Sequence, residues 1–304
     1  MANLSGLILA GAGSEEDDLV RRLQGRSRYA MPLANRALVR YAAEALVASG
    51  VDDVAVAVSS STIADVHEMI GDGRTFGARF RYLELDESNT ALDTIIAARE
   101  LLGTERAMLV HSGDAVVAAG LDEALAEFAR SRPDVMMVSE RSHAFPAAAI
   151  AGARGGGPRE EGLEGLDHVA PAAIVSGATL SELEGFNADT DTLGGTIAAL
   201  AEAGLRVADR VLEGCWCYVG DCDHLLEGNR MILDELPHQP VEGELESVRI
   251  EGRVAIHPGA RLERTTVRGP AVIEHPTTTV YVAGGQSAAL DRLGNLELTI
   301  AGDA

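Results

Sequence analysis

Short apolar runs alternate along the first half of the chain with longer stretches whose apolar residues return every three or four positions. The runs Leu7–Ala10, Val54–Val58, Phe80–Leu85, Ala107–His111 and Val135–Ser139 are too short for helices, and their composition predicts strands. Between them, Ala37–Ser49, Ile63–Ile70, Thr90–Leu102 and Leu121–Arg130 carry a helical period. Regular alternation of the two predicts an α/β fold, a doubly wound parallel sheet with helices on both faces. Ligands of such sheets sit beyond the carboxyl ends of the strands, so the loops opening at Gly11, Asp86 and Ser112 are expected to converge on one cleft.

Further along, the glycines and proline of residues 151–158 mark a loop excursion within the domain. A strand His168–Val175 follows, then a helix beginning near Leu180 and a helix Thr196–Ala203 closed by Gly204. A strand pair, Val207–Leu212 with Cys215–Val219, leads into a helix Asp223–Glu235 that Pro237 and Pro240 terminate. From Val248 the period changes. Ile250, Ile256 and Leu262 are six apart, Val267 and Ile273 continue the series, and Gly252, Gly259 and Gly269 fall at turns. Six-residue periodicity predicts a left-handed parallel β-helix, with an ordinary antiparallel sheet as the alternative. Four hexads amount to little more than one coil, which cannot bury a core alone and must lean on the preceding domain or on another subunit. Val280–Val282 and Leu296–Ile300 would close the coil. The expected organisation is therefore an α/β domain over 1–238 and a truncated β-helix over 239–304, whose open edge predicts a homo-oligomer.

Charge narrows the partners. The 304 residues are 46% hydrophobic, enough for a proper core, but 47 acidic against 25 basic residues give a net charge of −22. Nucleic acid and anionic membrane surfaces would be repelled, so neither is an expected partner. The start lacks a basic stretch, and no apolar run approaches ~18 residues, so a cytoplasmic protein is expected. Three cysteines, Cys215, Cys217 and Cys222, make no disulfide framework. With His224 they could supply four zinc ligands, although small cysteines in a buried strand are the commoner arrangement. His111 could likewise face the cleft or serve as a structural histidine.

The first strand carries the most pointed chemistry. Leu9, Ala10, Gly11, Ala12 and Gly13 run from a buried strand into a glycine turn, where backbone N–H groups can face phosphate oxygens. Glu15, Glu16, Asp17 and Asp18 follow at once. Carboxylates repel phosphate, and at an effective dielectric of about 20 two unit charges ~4 Å apart interact by roughly 4 kcal/mol. A Mg²⁺ ion would reverse that sign, since it binds carboxylates and phosphates together. The other reading is a plain strand and turn followed by a solvated acidic stretch.

The segment from Ser27 to Leu38, SRYAMPLANRAL, resembles the P-K-x-L-x-P-V-x-N-R-P-L block of sugar-1-phosphate nucleotidylyltransferases of the glucose-1-phosphate thymidylyltransferase type. Ser112-Gly113-Asp114 resembles the family's G-D metal site, and Trp216 to Gly220 resembles its W-x-D-x-G strand. Residues 223–230 are similar to the helix that follows, and the hexads to the β-helix of longer members. The resemblance thus spans nearly the whole chain. It implies attack of a sugar-phosphate oxygen on the α-phosphorus of a nucleoside triphosphate, with pyrophosphate released and Mg²⁺ as cofactor.

Carried over residue by residue, the resemblance makes Arg28 and Asp114 catalytic. It assigns Leu9, Ala10, Gly11, Ala12, Gly13, Asn89, Thr90 and Gly113 to the nucleotide, and Mg²⁺ to Asp114. The pattern also departs from the family. The glycine loop lacks the arginine of G-G-x-G-T-R, Arg28 stands for a lysine, and Asn89-Thr90-Ala91-Leu92 replaces G-T-A-G. No E-K-P block occurs near the glycine-rich excursion. Tyr218 replaces the second metal-binding aspartate and is a poor Mg²⁺ ligand, with Asp221 as a weak substitute. Two functions follow as expectations: a divergent nucleotidylyltransferase, or a catalytically silent relative that binds a nucleotide or nucleotide sugar as a regulatory or assembly subunit. Altered chemistry on the same fold is a third.

Overall fold

A computed structural model describes residues 4–11, 26–34, 36–86, 88–117, 121–139, 170–186, 188, 190, 192–212, 216–219 and 222–235, and in the last part 244–251, 254–256, 261–263, 266–268, 271–273, 286–290 and 296–300. The chain forms two units, Met1–Gly228 and Asn229–Ala304.

In the first unit β1 (Leu4–Ala10), α1 (Leu38–Ala48), β2 (Asp53–Val58), α2 (Ile63–Ile70), β3 (Arg79–Glu84), α3 (Ala91–Leu102) and β4 (Ala107–Ser112) alternate as the periodicity predicts. A short strand β5 (Ala115–Val117), α4 (Leu121–Ser131), β6 (Val135–Ser139), β7 (Ala172–Val175), α5 (Gly177–Glu182), α6 (Leu193–Glu202), β8 (Val207–Val211), β9 (Trp216–Tyr218) and α7 (Cys222–Glu235) complete it. The seven-stranded sheet runs β8-β6-β7-β4-β1-β2-β3.

β1 sits near its centre, between β4 and β2, which is why it reads as a continuous apolar run: both faces are covered. Leu4, Ile8 and Ala10 join Val39, Ala42, Leu46 and Val66 of α1 and α2 on one side. Leu7 joins Leu92, Ile95 and Ala98 of α3 and Ile197 and Leu200 of α6 on the other. The result is helix layers on both faces of a sheet, with its core on each side.

Several expectations need correction. The sheet is mixed and not parallel throughout, because β7 runs antiparallel to both β4 and β6. Its apolar run fits a buried strand in either direction, so pattern alone could not tell. Val207–Leu212 and the strand after it do not pair with each other. β8 joins β6 at the sheet edge, whereas β9 pairs antiparallel with β5, matching Trp216 with Val117 and Tyr218 with Ala115. Two helices start three residues earlier than predicted. Ser176 caps α5 and Thr192 caps α6, each hydroxyl accepting an N–H three residues on, and both caps precede small residues that carry no helical period. Of the predicted strand His168–Val175, the described part pairs over residues 172–175, and the excursion at 151–158 lies outside the described residues.

In the second unit three strand pairs run parallel: Glu244–Glu246 with Arg261–Glu263, Arg249–Glu251 with Thr266–Arg268, and Val254–Ile256 with Ala271–Ile273. All three keep a constant offset of seventeen residues, which matches Leu245 with Leu262, Ile250 with Val267, and Ile256 with Ile273. Gln286–Leu290 pairs antiparallel with Leu296–Ile300, and Val280–Val282 lies outside the described residues.

Candidate active site

β1 and β4 are parallel neighbours that end together, Leu9 opposite Ser112. Beyond their ends the chain turns at Gly113, whose N–H donates to the Leu9 carbonyl at 2.8 Å. A Cβ on Gly113 would lie 2.7 Å from that carbonyl oxygen and 3.1 Å from the Tyr29 ring. Glycine is therefore required for the two strand ends to close up. Gly11 differs: among the described residues a Cβ there would meet only ordinary contacts, the nearest at 3.5 Å, so none of them demands glycine.

Asp114 follows the turn and is buried; opposite it stands the partly buried Arg28, whose Nη1 lies 3.3 Å from Asp114 Oδ2. The second carboxylate oxygen, Oδ1, accepts the Ser112 hydroxyl at 2.5 Å. Asp114's own carbonyl accepts the Val219 N–H at 2.9 Å. This bond extends the β5–β9 pairing, so the backbone at Tyr218 and Val219 runs directly beside Asp114.

Arg28 is placed by its neighbours. Ser27 caps a 3₁₀ turn Arg28–Ala30, its hydroxyl accepting the Tyr29 N–H at 3.2 Å. The Ser27 N–H donates to Asp65 on α2 at 2.5 Å, and Arg26 reaches Glu68 on the same helix at 3.0 Å. Tyr29 is buried against Gly113. The turn is thus anchored on both sides, and the Arg28 side chain is directed by its pair with Asp114. Arg28 and Asp114, 86 positions apart in the sequence, meet here.

Leu9, Ala10, Gly11, Arg28, Gly113 and Asp114 thus gather at the carboxyl ends of β1 and β4. Asn89 and Thr90 stand after β3, where Thr90 is committed to α3: its hydroxyl accepts the Asp93 N–H at 3.1 Å, and the Asp93 carboxylate accepts the Thr90 N–H at 3.0 Å. Leu92, in place of a family glycine, is buried in the core beneath α3. Ala12, Gly13, the acidic run 15–18 and Asp221 lie outside the described residues, as does Cys215. Ser112 and Tyr29 fall within the segments that carry the resemblance but have no role of their own there. A serine two residues before an aspartate was the available signal for the first, and a tyrosine beside the expected cation for the second.

His111 is a structural residue. Fully buried, it donates Nδ1–H to the Ser112 carbonyl at 2.7 Å, which leaves Nε2 a bare acceptor without a hydrogen-bond partner. Burial pushes its pKa down to about 4, against a smaller upward pull from that carbonyl, so the ring is neutral.

The donor set fits a divalent cation poorly. Both Asp114 oxygens already accept hydrogen bonds, one of them from a guanidinium, and a divalent cation doubles the unit-charge repulsion that Arg28 exerts. The strand beside Asp114 brings a tyrosine where the family pattern has a carboxylate. Among the described residues no group of three or more His, Cys, Asp or Glu side chains is placed to hold a metal. A surface groove of about 410 Å³ lined by Arg36, Arg40, Glu44 and Glu68 is neutralised internally, Arg36 pairing with Glu44 at 3.0 Å.

A nucleotidyl transferase family model matches residues 7–144, the stretch from β1 through the Arg28 turn and Asp114 to the end of β6. Over that stretch the chain is similar to nucleotidyl transferases. It is similar to a glucose-1-phosphate thymidylyltransferase of Streptomyces griseus, 27% identical across 86% of this chain and 76% of that protein. A second, from Streptomyces antibioticus, is 25% identical across 89% and 78%. In fold it is similar to a Bacillus anthracis structure described as a glucose-1-phosphate thymidylyltransferase in complex with sucrose, at a TM-score of 0.60 and 15% identity, covering 77% of this chain and 96% of that one. Among the described residues no helix is long and apolar enough to cross a membrane.

Proposed function

We propose that the chain is a divergent sugar-phosphate nucleotidylyltransferase of NDP-sugar biosynthesis, converting a nucleoside triphosphate and a sugar 1-phosphate to a nucleotide sugar and pyrophosphate. The observation that carries this reading is the Arg28–Asp114 pair beyond the ends of β1 and β4, over a turn that only Gly113 admits. In the reaction a sugar-phosphate oxygen bonds to the α-phosphorus. The bond from that phosphorus to the β-bridging oxygen breaks, and its electrons leave with pyrophosphate. Such chemistry needs positioning and charge neutralisation, not a covalent nucleophile. Arg28 supplies positive charge, Leu9, Ala10, Gly11, Ala12, Gly13 and Gly113 admit the phosphates, and Asn89 lies toward the base, with Thr90 holding the cap of the helix behind it. Mg²⁺ on Asp114, with Asp221, is the family-like alternative for the charge, which the described donor set favours less.

A release screen tests the reading: pyrophosphate is measured over a panel of nucleoside triphosphates and sugar 1-phosphates. Release from at least one pair is expected, and its loss in Asp114→Ala. Silence across the panel would favour a second reading, a catalytically silent subunit that binds nucleotide sugars, which the tyrosine beside Asp114 makes specific. The constant seventeen-residue offset supports a short β-helix after residue 238; its left hand, a homo-oligomer built through its open edge and a cytoplasmic location belong to the same proposal. Sedimentation is expected to find a species larger than 31.8 kDa, and a monomer at that mass would contradict it.

A further inference from the structure

We propose that Arg28 stands in for a carboxylate-held metal ion, so that the cleft binds the phosphates of its nucleotide ligand without a divalent cation. The inference rests on the reading that the cleft takes a nucleotide. Asp114 is then a positioning residue for the guanidinium. Its Oδ2 faces Arg28 at 3.3 Å, and the Ser112 hydroxyl on Oδ1 fixes the plane of the carboxylate. Both side chains are largely withdrawn from water, 14% and 10% exposed, where a charge-assisted pair is well defined in direction.

Three features make the substitution coherent. The second carboxylate that a metal would need is absent from the strand beside Asp114, where residue 218 is a tyrosine. The turn carrying Arg28 is fixed by Asp65 on one side and by buried Tyr29 on the other, so the cation is placed before any ligand arrives. A guanidinium can pair with a carboxylate through one nitrogen and reach phosphate oxygens through others, a planar geometry that a lysine ammonium lacks. A metal held by two aspartates and a guanidinium held by one leave the site with a similar charge for phosphate.

Calorimetric titration of the full chain with inorganic pyrophosphate and with a panel of nucleoside diphosphate glucoses, in EDTA and in Mg²⁺, tests the proposal. The dissociation constant of the wild type is expected to be unchanged between the two media. Arg28→Ala is expected to weaken binding about tenfold to a hundredfold in both, the loss of charge-assisted hydrogen bonds. Asp114→Asn removes a competing negative charge while keeping the side chain's shape, so it is expected to bind pyrophosphate in EDTA at least as tightly as the wild type. A metal ligand would behave in the opposite sense. Wild-type binding that appears only with Mg²⁺, or Asp114→Asn losing it, overturns this inference and leaves the proposed function standing. No binding of any probe in either medium overturns both. The comparison of media uses the wild type, so it decides the matter even where a variant fails to fold.

Discussion

At residue 113 the chain has room for a hydrogen and nothing larger. Gly113→Ala places a methyl 2.7 Å from the Leu9 carbonyl oxygen, and the strand ends cannot part without breaking the N–H bond that joins them. A loss of about 1–3 kcal/mol is expected, measured as a lower urea midpoint, together with weaker ligand binding at the adjacent cleft. His111 supplies a second prediction. Its pKa falls from 6.5 to about 4 in the fold, so the unfolded chain takes up the proton more readily. The stability tied to the neutral ring is complete above pH 6.5 and is lost as pH falls toward 4, by roughly 3 kcal/mol in all. His111→Gln removes this dependence, so its stability deficit against the wild type is expected to shrink as pH falls through that window in parallel denaturant titrations. A constant deficit would mean that the ring is already charged. At this scale the sequence shows the type of a site residue more readily than its partners. Arg28 and Asp114 stand in recognisable surroundings, but the hydrogen bonds from Ser112 and the packing of Tyr29 depend on which strand ends meet. Arginine at position 28 also has a plain compositional setting: all 25 basic residues are arginine, and the chain contains no lysine.

Helix α3 shows how an element can occupy residues that a motif assigns to a ligand. Thr90 and Asp93, three apart before an apolar run, form a reciprocal capping box that satisfies N–H groups no helix can pair internally. Thr90→Ala is expected to destabilise the protein by about 1 kcal/mol and Thr90→Ser to restore most of it, in denaturant unfolding without ligand. Equal stability in all three would mean that the hydroxyl is not committed to the cap and is available to a base. The capping signal was present in the sequence, where the family-like spacing drew attention to the nucleotide first. Strands β5 and β9 make the opposite case. Three residues each, they have too little length for a periodic signal, and nothing in residues 215–219 says that their partner is the segment after Asp114 and not β8. Yet this pairing is what sets position 218 beside the site, so the most consequential neighbour of Asp114 is fixed by tertiary register alone.

For the whole molecule, alternating periodicity made the layered α/β arrangement legible because each layer must bury one face of its neighbour. Strand direction was not, since a strand buried on both faces, as β7 is, reads the same either way. Charge acts at this scale too. A net charge of −22 repels itself over distances at which salt still matters: raising ionic strength from ~0.01 M to ~0.15 M shortens the screening length from about 30 Å to about 8 Å. Opposing this, salt weakens local ion pairs such as Asp53 with Arg79 and Arg81, and Asp134 with Arg206. Burial alone would raise the Asp53 carboxyl, but the hydrogen bonds from both arginines outweigh it and hold the group below its usual value. Exposed pairs contribute little individually, about 0–1 kcal/mol each, and the arginines available are outnumbered nearly two to one by carboxylates. Repulsion should therefore win, and the thermal midpoint at neutral pH is expected to rise when sodium chloride is added over that range. A midpoint that falls would show that the paired arginines, rather than the uncompensated carboxylates, dominate the electrostatics of the fold.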